Sequence, residues 1–155
     1  MKSPIVLLFA GLSLAALFAD QSEPLTSTQL RSMVDNMGLT TKPLNEDTGK
    51  FQIDAKSESL NIPIGTELSK SGNYIWFTVN LGDGDKVQSH YKDLLKQNGA
   101  IQPDFFYITE KGALMLAVAM DNRGVTPAVI KRVTDKLVAD VDKTAQYWKP
   151  DGLDE

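Results

Sequence analysis

Tyr74-Ile75-Trp76-Phe77-Thr78-Val79-Asn80-Leu81 is the stretch that decides the fold. Aromatic and β-branched residues fill it, which is the composition of a strand half-buried on a pleated surface. Successive side chains of a strand point to opposite faces. Ile75, Phe77, Val79 and Leu81 therefore share one face, and Tyr74, Trp76 and Thr78 share the other.

On the amino-terminal side, Ser71-Gly72-Asn73 supplies a turn, and Leu60-Asn61-Ile62-Pro63-Ile64 alternates as a second strand. Pro63 donates no backbone hydrogen bond, which predicts an edge position for that strand. Lys56-Ser57-Glu58-Ser59 is a polar turn, and Phe51-Gln52-Ile53-Asp54-Ala55 alternates in turn. Before it, Leu30, Met33, Val34 and Met37 repeat at helical spacing over residues 26–37. Thr26 or Ser27 can cap that helix, and Gly38 can close it in a left-handed conformation.

On the carboxyl-terminal side, Val87, Tyr91, Leu94 and Leu95 predict a helix over residues 85–98, ended by Gly99. Residues 105–108 and 114–118 form a hairpin with Glu110-Lys111-Gly112 at its tip. A last helix begins at Thr126 with Pro127 in its first turn, where a missing amide costs nothing. Ile130, Val133, Leu137, Val141, Ala145 and Trp148 form its stripe. The expected order is helix, three strands, helix, two strands, helix. Short turns between strands imply an α+β fold: an antiparallel sheet of about five strands packed with three helices.

Phe106, Ile108, Leu114, Leu116 and Val118 match the Ile75–Leu81 face and are assigned to the core. The other face holds Tyr74, Trp76, Thr78, Phe105, Tyr107, Met115 and Ala117. A sheet covered by helices on one side only carries polar residues on its wet side. This face is aromatic and small instead. A helix of the same chain, a second copy, or an open groove for a peptide or another protein would each account for it. Contiguous exposed aromatic surface marks an interface, and Tyr and Trp offer apolar area with one polar contact. Tyr74, Trp76, Phe105, Tyr107 and Met115 are the candidate partner-binding residues.

Candidates for chemistry are few. His90 is the only histidine and the chain has no cysteine. No G-x-S-x-G segment accompanies His90, so a serine–histidine–aspartate site lacks its nucleophile motif. Residues 45–49 and 83–85 resemble calcium loops at first sight, but the glycine falls at the wrong position in the first and Val87 occupies a ligand position in the second. No glycine-rich phosphate loop is present. No pair among the 20 acidic residues is marked for sugar hydrolysis. Met33, Met37, Met115 and Met120 serve as core filler or as an adaptable surface. The expectation is no catalytic residue, no metal and no cofactor.

The first residues predict a compartment. One lysine is followed by fifteen uncharged residues, Ile5 to Ala19, then by Asp20-Gln21-Ser22-Glu23-Pro24. A spanning helix needs roughly 20 apolar residues; a short apolar run with a basic start and a small boundary residue makes a secretory signal. The expected layout is a signal peptide over 1–19, a leader over 20–25, one domain over 26–149 and an acidic tail over 150–155, with an uncleaved anchor as the alternative. After cleavage no membrane span remains, and the domain is exported, to the periplasm or the exterior. Loss of Lys2 takes the formal charge from −4 to −5, which argues against nucleic acid as a partner.

Several segments together resemble the type III secretion chaperone-like fold, in particular its YbjN-type branch. They are Met33-Val34-Asp35-Asn36-Met37-Gly38-Leu39, Phe51-Gln52-Ile53, Leu94-Leu95-Lys96-Gln97-Asn98, the 105–118 hairpin and Val125-Thr126. The match spans about residues 28 to 148. The resemblance implies an α/β sandwich, often a homodimer, that holds another protein and has no established catalytic residues. Secretion chaperones of this fold work in the cytoplasm, whereas the leader here predicts export, so an envelope partner is expected. The resulting expectation is a non-enzymatic protein-binding or chaperone-like domain, with a protein partner or a second copy of itself. The alternative is an envelope module for a small ligand or cell-wall component, with Trp76, Tyr74 and Tyr107 lining a pocket.

Overall fold

The structure, a computed structural model, describes residues 23–149. The signal peptide expected over 1–19, the start of the leader and the acidic tail lie outside the described residues. The order is α1 (Ser27–Asn36), β1 (Thr41–Asn45), β2 (Lys50–Lys56), β3 (Asn61–Leu68), β4 (Tyr74–Asp83), a 3-10 segment (Gly84–His90), α2 (Tyr91–Ala100), β5 (Phe105–Ile108), β6 (Ala113–Asp121), α3 (Pro127–Lys143) and α4 (Ala145–Trp148). The six strands form one antiparallel sheet in the order β1-β2-β3-β4-β6-β5. This is the expected α+β class, with one more strand and one more short helix.

Local chemistry sets each element. Thr26 caps α1: its hydroxyl accepts from the Gln29 amide at 3.2 Å, and the Thr26 amide donates to Gln29 Oε1 at 2.8 Å. Leu30 and Val34 are the buried face. Gly38, at φ +80°, turns the chain out of the helix. In the β2–β3 turn, Ser57 Oγ accepts from the amides of Ser59 and Leu60. Ser57 and Ser59 also donate to Asp142 on α3, at 3.2 and 2.5 Å, so the hairpin is tied to the helix layer.

Asn122 joins three segments. Its side-chain nitrogen donates to the carbonyls of Leu25 and Gly72, both at 2.8 Å, and its oxygen accepts from the Leu25 amide at 3.2 Å. The side chain is fully buried and fully used.

Above one face of the sheet lies a single core. Leu30 and Val34 of α1, Leu94 of α2, and Ile130, Leu137 and Val141 of α3 meet Phe51, Ile53, Ile64, Ile75, Phe77, Leu116 and Val118. Thr66 also faces this core, paired with Phe51 and Phe77, and its buried hydroxyl has no hydrogen-bond partner. A buried unpaired hydroxyl is costly. Thr66→Val is expected to stabilise the fold by about 1 kcal/mol, read as a higher urea midpoint at unchanged slope.

Several sequence expectations change. Pro63 does not mark an edge strand: β3 is internal, and its ladder to β4 begins at Ile64, one residue past the proline. The second helix is two pieces, because Val87 has a non-helical backbone (φ −117°, ψ 18°). The helical phase is lost there, so Leu95 is exposed rather than buried, and Gly99 lies inside α2 rather than ending it. Ile108 is 40% exposed rather than core, since it ends the short edge strand β5. The last helix breaks at Thr144, whose hydroxyl donates to the carbonyls of Asp140 and Val141. Trp148 then folds back, donating its indole N–H to the Val141 carbonyl at 3.0 Å.

Candidate functional site

The second face of the sheet is defined by register. Trp76 lies beside Glu67 on β3 and Ala119 on β6; Thr78 lies beside Gly65 and Ala117; Phe105 and Tyr107 on β5 flank Ala117 and Met115. Tyr74, Trp76, Phe105, Tyr107 and Met115 thus share one face, spread over β4, β6 and β5. Tyr74 is 50% exposed, and the other four are half-buried. The buried apolar positions of α1, α2 and α3 all join the core on the opposite face. Among the described residues no helix packs over this one.

Small residues in the middle strand shape the surface. Ala117 and Ala119 of β6 stand between the strand that carries Trp76 and the strand that carries Phe105 and Tyr107, and their small side chains let those rings meet across β6. The Trp76 and Phe105 rings meet edge to face with centroids 6.2 Å apart, and Phe105 and Tyr107 stand 5.9 Å apart. Ala117 has no exposed surface although strand alternation puts it on the outer face; the larger neighbouring rings cover it. The result is an open trough of about 560 Å³, lined by Leu68, Lys70, Trp76, Thr78, Phe105 and Tyr107, with Glu67 and Ser69 at its side.

The apolar character stops at β3. On β1, β2 and β3 the same face carries ion pairs: Lys42 to Asp54 at 2.6 Å, and Lys50 to Glu67 at 2.9 Å. Hydrogen bonds from Lys42 and Gln52 hold the Asp54 carboxyl below its usual range. Burial pushes the Tyr107 phenol above its ordinary value, with the Lys50 charge opposing that shift. Where β4 begins, beside Tyr74, Asp121 receives two bonds from the Arg123 guanidinium at 2.9 and 2.7 Å. Arg123 pulls the Asp121 carboxyl down to about 2. The face expected to be aromatic and small is so over β4, β6 and β5 alone; across β2 it is polar and charged, because the outer-face residues there are Lys50, Gln52, Asp54 and Lys56.

The edge strands bear on how a partner can approach. On β5, Asn98 of α2 occupies the outward backbone groups of Phe106: its side-chain oxygen accepts from the Phe106 amide at 2.7 Å, and its nitrogen donates to the Phe106 carbonyl at 3.3 Å. At the opposite edge, the Asp54 amide donates to the Thr40 carbonyl, which turns the backbone of Thr41 and Pro43 away from β2. Proline in an outward position blunts an edge against pairing. Both edges are thus guarded, and the trough face is left open.

Among the described residues no catalytic arrangement comes together. His90 is half-buried where the 3-10 segment meets α2. No group of three or more potential metal ligands occurs among the described residues, and no described helix is long and apolar enough to cross a membrane. Asp104 and Asp140 face each other away from the trough and line no part of it. The small-ligand alternative needed an enclosed pocket around Trp76; pockets for small molecules bury most of the ligand, and this trough is open along its length.

No family model and no curated protein matches the sequence. Solved structures do. A chain of the heterodimeric ExoU–SpcU complex from the type III secretion system of Pseudomonas aeruginosa matches with a TM-score of 0.55 at 14% identity, over 77% of this chain and 97% of that one. A chain of the Yersinia pestis type III secretion chaperone SycH in complex with a fragment of YscM2 gives 0.52 at 15%, over 78% and 98%. A chain of the HopA1–SchA chaperone–effector complex gives 0.53 at 9%, over 81% and 99%. The fold is therefore that of the type III secretion chaperones. This corrects the expected location. Such chaperones are cytoplasmic proteins, which conflicts with a periplasmic or extracellular domain, and the exported placement rested on the composition of residues 1–19 alone.

Proposed function

We propose that this chain is a non-enzymatic, chaperone-like domain that holds an unfolded segment of another protein, or a second copy of itself, on the apolar half of its open sheet face. The carrying observation is the open trough lined by Trp76, Phe105 and Tyr107, over which none of the buried apolar residues of the described helices packs. The solved structures of the same fold include chaperone–effector complexes, which supports a protein as the ligand. Trp76, Phe105 and Tyr107 supply apolar area at low entropy cost. The Lys50–Glu67 pair at the border gives polar contacts that fix orientation without adding much affinity. Within this fold, the segments 33–39, 94–98 and 125–126 support placement beside the YbjN-type branch.

The probe is reduced, carboxymethylated ribonuclease A, a permanently unfolded chain that contains no tryptophan. It is titrated against the protein carrying Trp148→Phe, so that Trp76 alone reports. Expected are a blue shift of Trp76 emission and, for Tyr107→Lys in the same background, binding about tenfold weaker or worse. Unchanged Trp76 emission, or full binding by the Tyr107→Lys protein, overturns the reading. Light scattering over a concentration series separates self-pairing from partner binding: a dimer that Tyr107→Lys dissolves assigns the face to a second copy.

A further inference from the structure

The chain contains a buried acidic pair that the trough does not use directly. Asp104 ends the turn from α2 into β5 and is 1% exposed, and neither of its carboxylate oxygens has a hydrogen-bond partner. Asp140 of α3 faces it and is itself buried. Lys136, one turn before Asp140, is the cation present: it donates to Asp140 and, at 2.6 Å, to the Ile101 carbonyl, and stands 3.6 Å from Asp104 Oδ2. Lys136 and Asp140 are the charged groups that act on Asp104.

Two ionised carboxylates have no donor to offer each other. One ammonium, already bonded to Asp140 and to a carbonyl, does not neutralise both. A single proton on Asp104 removes the repulsion and creates the missing donor, an O–H directed at Asp140. The next residue is Phe105, the first ring of the trough's outer wall, so whatever holds Asp104 also holds the start of β5.

We infer that Asp104 and Asp140 share one proton as a pH-sensitive latch, which fastens the 101–104 turn to α3 and thereby sets the position of β5. Loss of that proton leaves two buried charges with one lysine and loosens the wall that carries Phe105 and Tyr107. Burial, reinforced by Asp140, pushes the Asp104 carboxyl up to about 7, which places the release in the neutral range. The consequence for partner binding rests on the trough reading; the latch itself does not.

The test is carbon-13 carboxyl titration together with amide exchange on the full chain, between about pH 5 and about pH 9. Expected are an Asp104 midpoint near 7 and exchange of the Phe105–Ile108 amides that quickens about tenfold beyond the intrinsic pH effect across that midpoint. In Asp104→Asn, whose amide donates to Asp140 at every pH, β5 exchange follows the intrinsic effect alone. In Asp140→Asn the Asp104 midpoint falls while the fold persists, a shift that a merely structural aspartate would not show. An Asp104 midpoint in the ordinary carboxylate range, or identical β5 exchange in wild type and Asp104→Asn, overturns the latch. Loss of binding to the unfolded ribonuclease chain with these titrations intact counts against the trough alone.

Discussion

Phe77→Ala is expected to cost about 4 kcal/mol of stability, toward the upper end of what a single truncation does. Phe77 is completely buried at the centre of β4, between Thr66 on β3 and Val118 on β6, in the core shared with α1 and α3. Truncation loses the transfer free energy of the ring and leaves a cavity, because strands hydrogen-bonded on both sides cannot collapse into it. The measurement is a urea titration, with a lower midpoint at unchanged slope. The neighbouring substitution is the control. Trp76→Ala removes a larger ring one residue away but on the half-open face, and is expected to cost less than half as much while weakening binding of an unfolded chain. Equal losses for the two would mean that both faces are sealed, and the open-face reading would fail with them.

That contrast was legible in the sequence because a strand writes its two faces as alternate letters. Tyr74 to Leu81 carries enough apolar and aromatic side chains for both sets to be assigned, and the hairpin at 105–118 repeats the pattern. Thr41-Lys42-Pro43-Leu44-Asn45 writes nothing comparable. It is an edge strand with only Leu44 apolar, and that side chain is 50% exposed. Its pairing to β2 is a backbone matter with no side-chain period to betray it. The break at Val87 was hidden for a related reason: the apolar letters of residues 85–98 fit a helical face, but the backbone shifts phase within the window. Similarly, Pro63 lacks an amide donor in any setting, and only the register shows that the strand beside it ends its ladder there.

The latch was partly legible. Asp104 follows Gln102-Pro103 and looks like any turn residue; its partner is 36 positions away on another element, and no single-sequence pattern joins them. Asp140 did leave a signal. It sits one turn after Lys136 and on the same helical face as Val133, Leu137 and Thr144, where a carboxylate is out of place unless something inside the protein meets it.

Lys136→Met carries the second large effect, and its sign depends on pH. The ordinary Asp value is 3.8 and Asp104 in the folded chain stands at about 7. Between these two, the folded state keeps a proton that the unfolded state has released. Stability is therefore fully supported below about pH 4, declines as pH rises through the window and levels off above about pH 7. Methionine keeps the length of the lysine stem but removes the cation that opposes this shift. The folded Asp104 value moves higher still, and the decline continues into alkaline solution. At about pH 5 the loss is expected to be about 1–2 kcal/mol, from the hydrogen bonds to the Ile101 carbonyl and to Asp140, the latter partly replaced by the Asp104 O–H. At about pH 8 it grows to about 3 kcal/mol, because the folded chain must then either keep the Asp104 proton against the solvent pH or bury two carboxylates without a counter-charge; partial exposure of Lys136 keeps it below the cost of breaking a fully buried pair. Urea titrations at the two pH values give the difference. In an Asp104→Asn background the same substitution should show no such growth, since the amide leaves only one carboxylate to compensate. If the cost of Lys136→Met is the same at both pH values, the carboxyl pair does not hold a proton in the folded chain, and Lys136 is merely a surface lysine lying across a turn.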